Sequence, residues 1–249
     1  MKALLWLMAW MVPGLALAQA APHPELPSAE QPVRQVRTTG YTLALSWTPE
    51  YCHSRRGDRT SDPECGNPRL SRGFTLHGLW PDGDGPNRWP QYCHPVSILT
   101  PAQMAAALAF TPSPQLLQHE WAKHGSCTGT DPVRYFADED RLYQRIAIPD
   151  MGALARRPDL TADEVAAAFA TANPGLPASA VRLNVNRSGW LEEVWLCLGL
   201  DKRPRPCAAS QGGAPAGSTL RIEMAPGAGG AYGRGNAYGR GYRSGYRRY

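Results

Sequence analysis

The stretch His119-Glu120-Trp121-Ala122-Lys123-His124-Gly125-Ser126-Cys127 gathers two imidazoles, a carboxylate and an ammonium within a few residues. Ser113-Pro114 upstream reads as a helix start, an N-cap followed by proline in the first turn, and Gly125 reads as its stop. At about 100° per residue, His119, Glu120, Lys123 and His124 fall at roughly 0°, 100°, 40° and 140° and share one face. Trp121, at roughly 200°, points away toward the core. Proton-transfer groups beside a cation suit an anion held in a cleft, and phosphoryl chemistry in particular. The competing reading is a solvated helix face with i,i+4 pairs. Zinc is disfavoured: His-Glu opens the metalloprotease motif, but the second His comes at i+5 instead of i+4, which swings the rings roughly 140° apart.

A second stretch, Gly73-Phe74-Thr75-Leu76-His77-Gly78-Leu79-Trp80-Pro81-Asp82, alternates like a strand through His77. Phe74 and Leu76 take the buried face and His77 the opposite one. Gly78 permits close backbone approach, and Trp80 offers a flat surface next to it. Singly, such residues are ordinary core or structural side chains. Together with the helix face they supply a third imidazole and a stacking platform, a combination that suits a nucleobase beside its phosphate.

These two segments resemble the two active-site motifs of the ribonuclease T2 family, in the family's order, and the resemblance extends over residues 40–224. It implies an α+β fold, a mainly antiparallel sheet packed with helices and stabilised by disulfides. It also implies an endoribonuclease with no metal and no cofactor, acting on single-stranded RNA with little base preference. By motif match His124 is the base, His77 the acid, and Glu120 with Lys123 stabilise the phosphorane. His119 binds phosphate, while Trp80 and Asp82 contact the base. Trp89, in the polar loop from Asp82 to Pro90, matches no fixed family position. It borders the cleft or covers the core. One imidazole must start neutral and the other protonated, so an acidic optimum is expected from the free histidine value of about 6.5. DNA, lacking the 2′-hydroxyl, is not cut this way.

Two other classes compete: an exported RNA-binding or signalling protein without activity, against which the intact motif pair argues, and a metal-dependent nuclease or protease, which lacks a ligand set.

The elements that must position these groups lie in a chain of 249 residues, 43% hydrophobic with 24 Pro and 25 Gly, enough for one sizeable core with many loops. Met1-Lys2, an apolar run from Ala3 to Leu17 and small residues at Ala16, Ala18 and Ala20 read as a signal peptide over residues 1–20, and the apolar run is shorter than the roughly 20 residues that span a bilayer. The chain is therefore expected to be exported, periplasmic or secreted, with no transmembrane segment after removal, and to act as a monomer. Residues 21–39 read as a flexible lead-in to a domain over 40–224.

The domain is expected to open with a strand over 41–47, with Tyr41, Leu43, Leu45 and Trp47 on one face. Helices follow from Thr100-Pro101 through Phe110, from Ser113, from Asp131-Pro132 to Ile146 and from the Thr161–Glu164 capping box to about Ala172. Strands return at 181–185, 191–198 and 220–223.

Six cysteines in an exported chain point to disulfides, with fifteen connectivities open from spacing alone. The family resemblance implies Cys93–Cys127 and Cys197–Cys207, which leaves Cys52 for Cys65 around a charged loop carrying His53, Arg55, Arg56 and Arg59. A metal at Cys52, His53 and Cys65 lacks a ligand pattern.

Residues 225–249, rich in Gly, Arg and Tyr, are expected to be disordered. Their five Arg and no acids account for a net charge of +5; with Lys2 set aside the remainder is net −1, so the basicity belongs to the tail. Such a tail suits contact with RNA or an anionic surface, raising affinity for long RNA at low salt, or plain solvation.

Overall fold

The computed structural model describes residues 21–55, 63–68, 70–85 and 89–225. Strand β1 (Gly40–Trp47) pairs antiparallel with β2 (Phe74–Asp82) on one side and β4 (Leu191–Leu198) on the other. With β3 (Val181–Val185) on the far side of β4, the sheet order is β2-β1-β4-β3. Leu43, Leu45 and Trp47 of β1 pack in the core with Leu76 and Leu79 of β2 and Val194 and Leu196 of β4. The intervening Thr42 and Ala44 are buried as well, so β1 is covered on both faces and not on one alone.

Helices α1 (Thr48–Ser54), α2 (Pro101–Met104), α3 (Pro114–Lys123), α4 (Pro132–Tyr143), α5 (Met151–Ala155) and α6 (Ala162–Ala172) complete the α+β architecture. All four expected caps are in place, Thr100 in a reciprocal capping box with Gln103. Ser113 Oγ accepts Leu116 N–H, Asp131 Oδ1 accepts Arg134 N–H, and Glu164 reaches back to Thr161 N–H at 2.9 Å. Neither α1 nor α5 stood out in the sequence, because each is too short to show helical periodicity.

Strand β2 departs from alternation at one point. Leu45 faces Leu76 while Ala44 faces Gly78, so His77 is an extra residue, a β-bulge. Unbroken alternation would separate His77 from Trp80 and Asp82; the added residue turns all three toward one cleft.

Strand β2 is also an edge strand, whose outward backbone groups need partners. One face of α4 supplies them. Tyr135 and Tyr143 donate their hydroxyls to the carbonyls of Leu79 and Phe74 at 3.0 and 2.7 Å, and between them Glu139 accepts Leu79 N–H at 2.8 Å. Leu76 donates to the Phe110 carbonyl and accepts from the Thr111 hydroxyl. That contact accounts for one correction: the Ala-rich segment expected as a single helix through Phe110 breaks after α2 into a 3-10 turn at Ala107–Ala109, which lets Phe110 reach β2. A second correction concerns residues 220–223. They form isolated bridges and backbone bonds, Leu220 to Leu160 and Leu191 to Arg221, and not a strand, because no neighbour runs alongside for more than one pair. The helix expected to run to Ile146 ends at Tyr143, its last turn tightening into i to i+3 bonds at Arg145 and Ile146.

The disulfides are Cys52–Cys65, Cys93–Cys127 and Cys197–Cys207. His53 pairs with Glu223 at 3.0 Å, while Cys52 and Cys65 are joined to each other. Residues of the expected lead-in are tied to the domain: Arg34 exchanges backbone bonds with Gln91, Pro32 accepts from the Gln91 side chain, and His23 N–H reaches Gln115. The expected signal peptide over residues 1–20, Arg56, Arg59 and the tail beyond Ala225 lie outside the described residues.

Burial, and then the nearby charge of Glu120, push the Glu139 carboxyl up to about 8 from 4.5. The folded chain thus keeps a proton that the unfolded chain gives up above about 4.5, and stability falls as pH rises from there through 8. Glu139→Gln can still accept Leu79 N–H and has no proton to lose. By calorimetry its Tm should stay close to wild type at pH 4.5 and exceed it by about 5 °C or more at pH 8.5.

Candidate active site

Helix α3 lies against β2, and the fit depends on Gly78. A Cβ on that residue would stand 2.0 Å from Glu120 Oε2 and 2.8 Å from Trp80 Nε1. The space is filled instead by a hydrogen bond from Trp80 Nε1 to Glu120 Oε2 of 2.7 Å, linking the two motifs directly. The far end of α3 is pinned by Cys93–Cys127, by Tyr92 N–H on the Lys123 carbonyl and by Ser126, which bridges Cys93 N–H to the Ala122 carbonyl.

His124 is the C-cap of α3, its N–H still bonded to the Glu120 carbonyl. Its ring stacks on Trp80, with centroids 5.4 Å apart and an interplanar angle of 28°. His77 meets the same indole edge-on at 5.1 Å. The three rings therefore form one cluster, with Trp80 between the imidazoles.

A cleft of about 680 Å³ is lined by His77, Trp80, Asp82, His119, Glu120, Lys123 and His124, so every candidate residue from the sequence meets there. Trp89 lines it too, its indole donating to Gln91 and covered by Arg34. Trp121 goes to the core against Tyr135.

The two imidazoles differ in what surrounds them. Burial pushes His124 well below its usual range, and the positive charges of Lys123, His119 and His77 add to this. Its Nδ1 is buried without a hydrogen-bond partner among the described residues. Burial alone would lower His77 as well, but its hydrogen bond to Glu193 and the charges of Glu120, Glu193 and Glu64 more than reverse this and hold it up at about 9. The contacts are His77 Nδ1 to Glu193 Oε1 at 2.5 Å and Nε2 to Glu120 Oε1 at 3.5 Å. Burial raises Glu120, against the attraction of His77 and His119, and burial lowers Lys123. His119 Nδ1 lies 3.5 Å from Glu25, which Gln115 also holds.

At the other end of the cleft, Asp82 accepts from Thr42 Oγ1 at 3.1 Å and from Gln211 Nε2 at 2.8 Å. Burial pushes its carboxyl up to about 6 against these bonds and the Arg205 charge. Glu193, Trp195, Thr42, Gln211 and Glu25 were not singled out in the sequence. The alternation of Val194 and Leu196 could have put Glu193 and Trp195 on the opposite face of β4, but not beside His77. Gln211 lies in a loop with no periodic signal at all.

An arrangement of this kind can hold an anion between Lys123 and His119, take a proton at one imidazole, release one at the other, and lay a planar ring near Trp80.

Known ribonucleases resemble this chain in sequence and in fold. A Haemophilus influenzae protein named "Probable ribonuclease" is 33% identical over 167 residues, which is 63% of this chain and 56% of the relative. A ribonuclease of Aeromonas hydrophila is 31% identical over 163 residues, covering 64% of this chain and 70% of that one. The chain thus spans little more than half the length of the first relative and about 70% of the second. Trichomaglin, described as a novel S-like ribonuclease, superimposes with a TM-score of 0.59 at 21% identity over 74% of this chain and 98% of its own, a shared fold. The model of the ribonuclease T2 family matches residues 38–207. The chain belongs to the ribonuclease T2 family.

Proposed function

We propose that this protein is an endoribonuclease that cuts single-stranded RNA by metal-independent transesterification, with little base preference. Neutral His124 takes the proton of a ribose 2′-hydroxyl; the oxygen bonds to the adjacent phosphorus, and the bond from phosphorus to the 5′-oxygen breaks as His77 delivers a proton to it. The product is a 2′,3′-cyclic phosphate, which water then opens to a 3′-phosphate. Lys123 and Glu120 face the charge that builds on the phosphorane oxygens, His119 holds the phosphate, and Trp80 with Asp82 receives a base.

The observation that carries this reading is the pair of imidazoles on one indole, one held charged and the other neutral. The chain is exported, to the periplasm or beyond the cell, acts as a monomer and spares DNA. The disulfides support export, and no helix among the described residues is long and apolar enough to cross a membrane.

The base must be neutral and the acid protonated. With His124 lowered and His77 near 9, the rate should rise with pH only well below 6.5, hold across the acidic and neutral range, and fall as pH passes about 9. The acidic optimum expected from free histidine thus widens upward. Initial rates on polyuridylate across pH 4 to 10 check this, and a single midpoint near 6.5 would contradict it.

His77→Ala and His124→Ala should each lower kcat on polyuridylate by about 100-fold or more with unchanged circular dichroism. A chromatographic assay of the wild-type products should show cyclic phosphate ends from RNA and no cleavage of the matching DNA.

Gly78→Ala drives a methyl into the Glu120 carboxylate. It should cut kcat/KM by about tenfold or more, while the near-neighbour substitution Gly73→Ala, where a Cβ would meet nothing within 4 Å, should leave it within about twofold.

A further inference from the structure

Strand β4 brings a carboxylate to the back of the His77 ring. Ser46 of β1 and Glu193 of β4 are register partners, and the bulge of β2 swings His77 toward them. A second irregularity, between Asn184 and Val185 of β3, leaves Glu192 as the unpaired residue of β4 and sends it to solvent, while Glu193 keeps to the cleft face with Trp195. The Glu193 carboxylate is fixed before it meets the imidazole: Trp195 Nε1 donates to Oε2 at 2.8 Å and Ser46 Oγ to Oε1 at 3.3 Å. Oε1 then lies 2.5 Å from His77 Nδ1.

The other ring nitrogen is left for the cleft. Glu120 Oε1 stands 3.5 Å from Nε2, too far to consume its proton in a short hydrogen bond. An imidazole bonded through one nitrogen to a fixed carboxylate has its orientation and tautomer set by that bond.

We propose that Glu193 is a positioning residue for RNA cleavage, which through Nδ1 of His77 aims Nε2 into the cleft and keeps on it the proton that the departing 5′-oxygen receives. The proposal rests on the reading of His77 as the acid. Trp195 extends the arrangement, since the indole that holds Glu193 also packs edge-on against Trp80 at 5.4 Å. The positioning device and the base platform therefore share one side chain.

The charged groups that act on His77 are Glu193 from β4, Glu120 from α3 and Glu64 from the loop after α1. Glu139 of α4 and His124 beyond Trp80 also interact with it. Among these Glu193 is the one in hydrogen-bond contact with the ring, and the hydrogen bond outweighs each of the separate charges in holding the proton there.

The test compares Glu193→Gln with wild type on two substrates. One is polyuridylate, whose 5′-oxygen must be protonated to leave. The other is uridine 3′-(4-nitrophenyl phosphate), whose nitrophenolate leaves without a proton. For Glu193→Gln the alkaline limb on polyuridylate should move down from about 9 by about two pH units. At pH 8 kcat should fall by about tenfold or more with KM within about twofold, while the rate on the nitrophenyl ester stays within about threefold of wild type. Trp195→Phe, which keeps an aromatic ring but removes the donor to Glu193, should move the limb in the same direction by less, and it serves if Glu193→Gln does not fold.

An alkaline limb that stays in place in a folded Glu193→Gln, or equal losses on both substrates, would overturn the proposal in favour of a structural carboxylate. His77→Ala separates the two levels. If it cleaves polyuridylate at the wild-type rate, the assignment of His77 fails and the role of Glu193 with it; if it is inactive there while Glu193→Gln shows an unmoved limb, only the role of Glu193 fails.

Discussion

Trp80 stands between two imidazoles that have been given opposite surroundings, and most of the structure around the cleft serves that difference. Both rings lose water on folding, which by itself would leave both neutral. His77 escapes because carboxylates from two separate elements flank it, Glu193 on β4 and Glu120 on α3. Among the described residues, the charges that act on His124 are those of Lys123, His119 and His77, and its ring stacks on the Trp80 indole. A histidine pair that shared a single environment would titrate together and would offer a donor and an acceptor of protons at once only in a narrow range around the common midpoint.

That asymmetry demands close approach of three chain segments, and the fold meets the demand with small local devices. The bulge at His77 puts His77, Trp80 and Asp82 on one side of β2. Gly78 leaves room for the Glu120 carboxylate, and the Cys93–Cys127 disulfide fixes the end of the helix that carries Lys123 and His124. Helix α4 closes the open edge of β2 through Tyr135, Glu139 and Tyr143, so the strand that bears the site is held on both sides. The Glu139 carboxyl is buried for this purpose and stays protonated at neutral pH.

The residues of the cleft that chemistry names were legible in the sequence because they sit in two continuous runs, His77 to Asp82 and His119 to His124. Helix starts were equally plain wherever a Ser, Asp or Thr cap preceded an apolar pattern, as at Ser113, Asp131 and Thr161. What could not be read depends on pairing between distant strands. Glu193 is one of two adjacent acids on β4, and only the register with β1 and the irregularity opposite Asn184 decide which of them faces His77. The same holds for His77 itself: alternation put it across the strand from Phe74 and Leu76, but the bulge that also brings Trp80 and Asp82 to its side leaves no mark in composition. Residues 220–223 have the apolar alternation of a strand and lack a partner, and the break after α2 is set by a tertiary contact from Phe110 to Leu76. The early segment from His23 to Gln35 is attached by polar contacts that hydrophobic periodicity does not detect.

The most direct measurement is a titration of the individual imidazoles by nuclear magnetic resonance on histidine-labelled wild-type protein, with signals assigned from His77→Ala and His124→Ala. The account predicts that His77 loses its proton with a midpoint near 9 and that His124 stays neutral down to well below 6.5. Two midpoints close together near 6.5, or the reverse order, would contradict it.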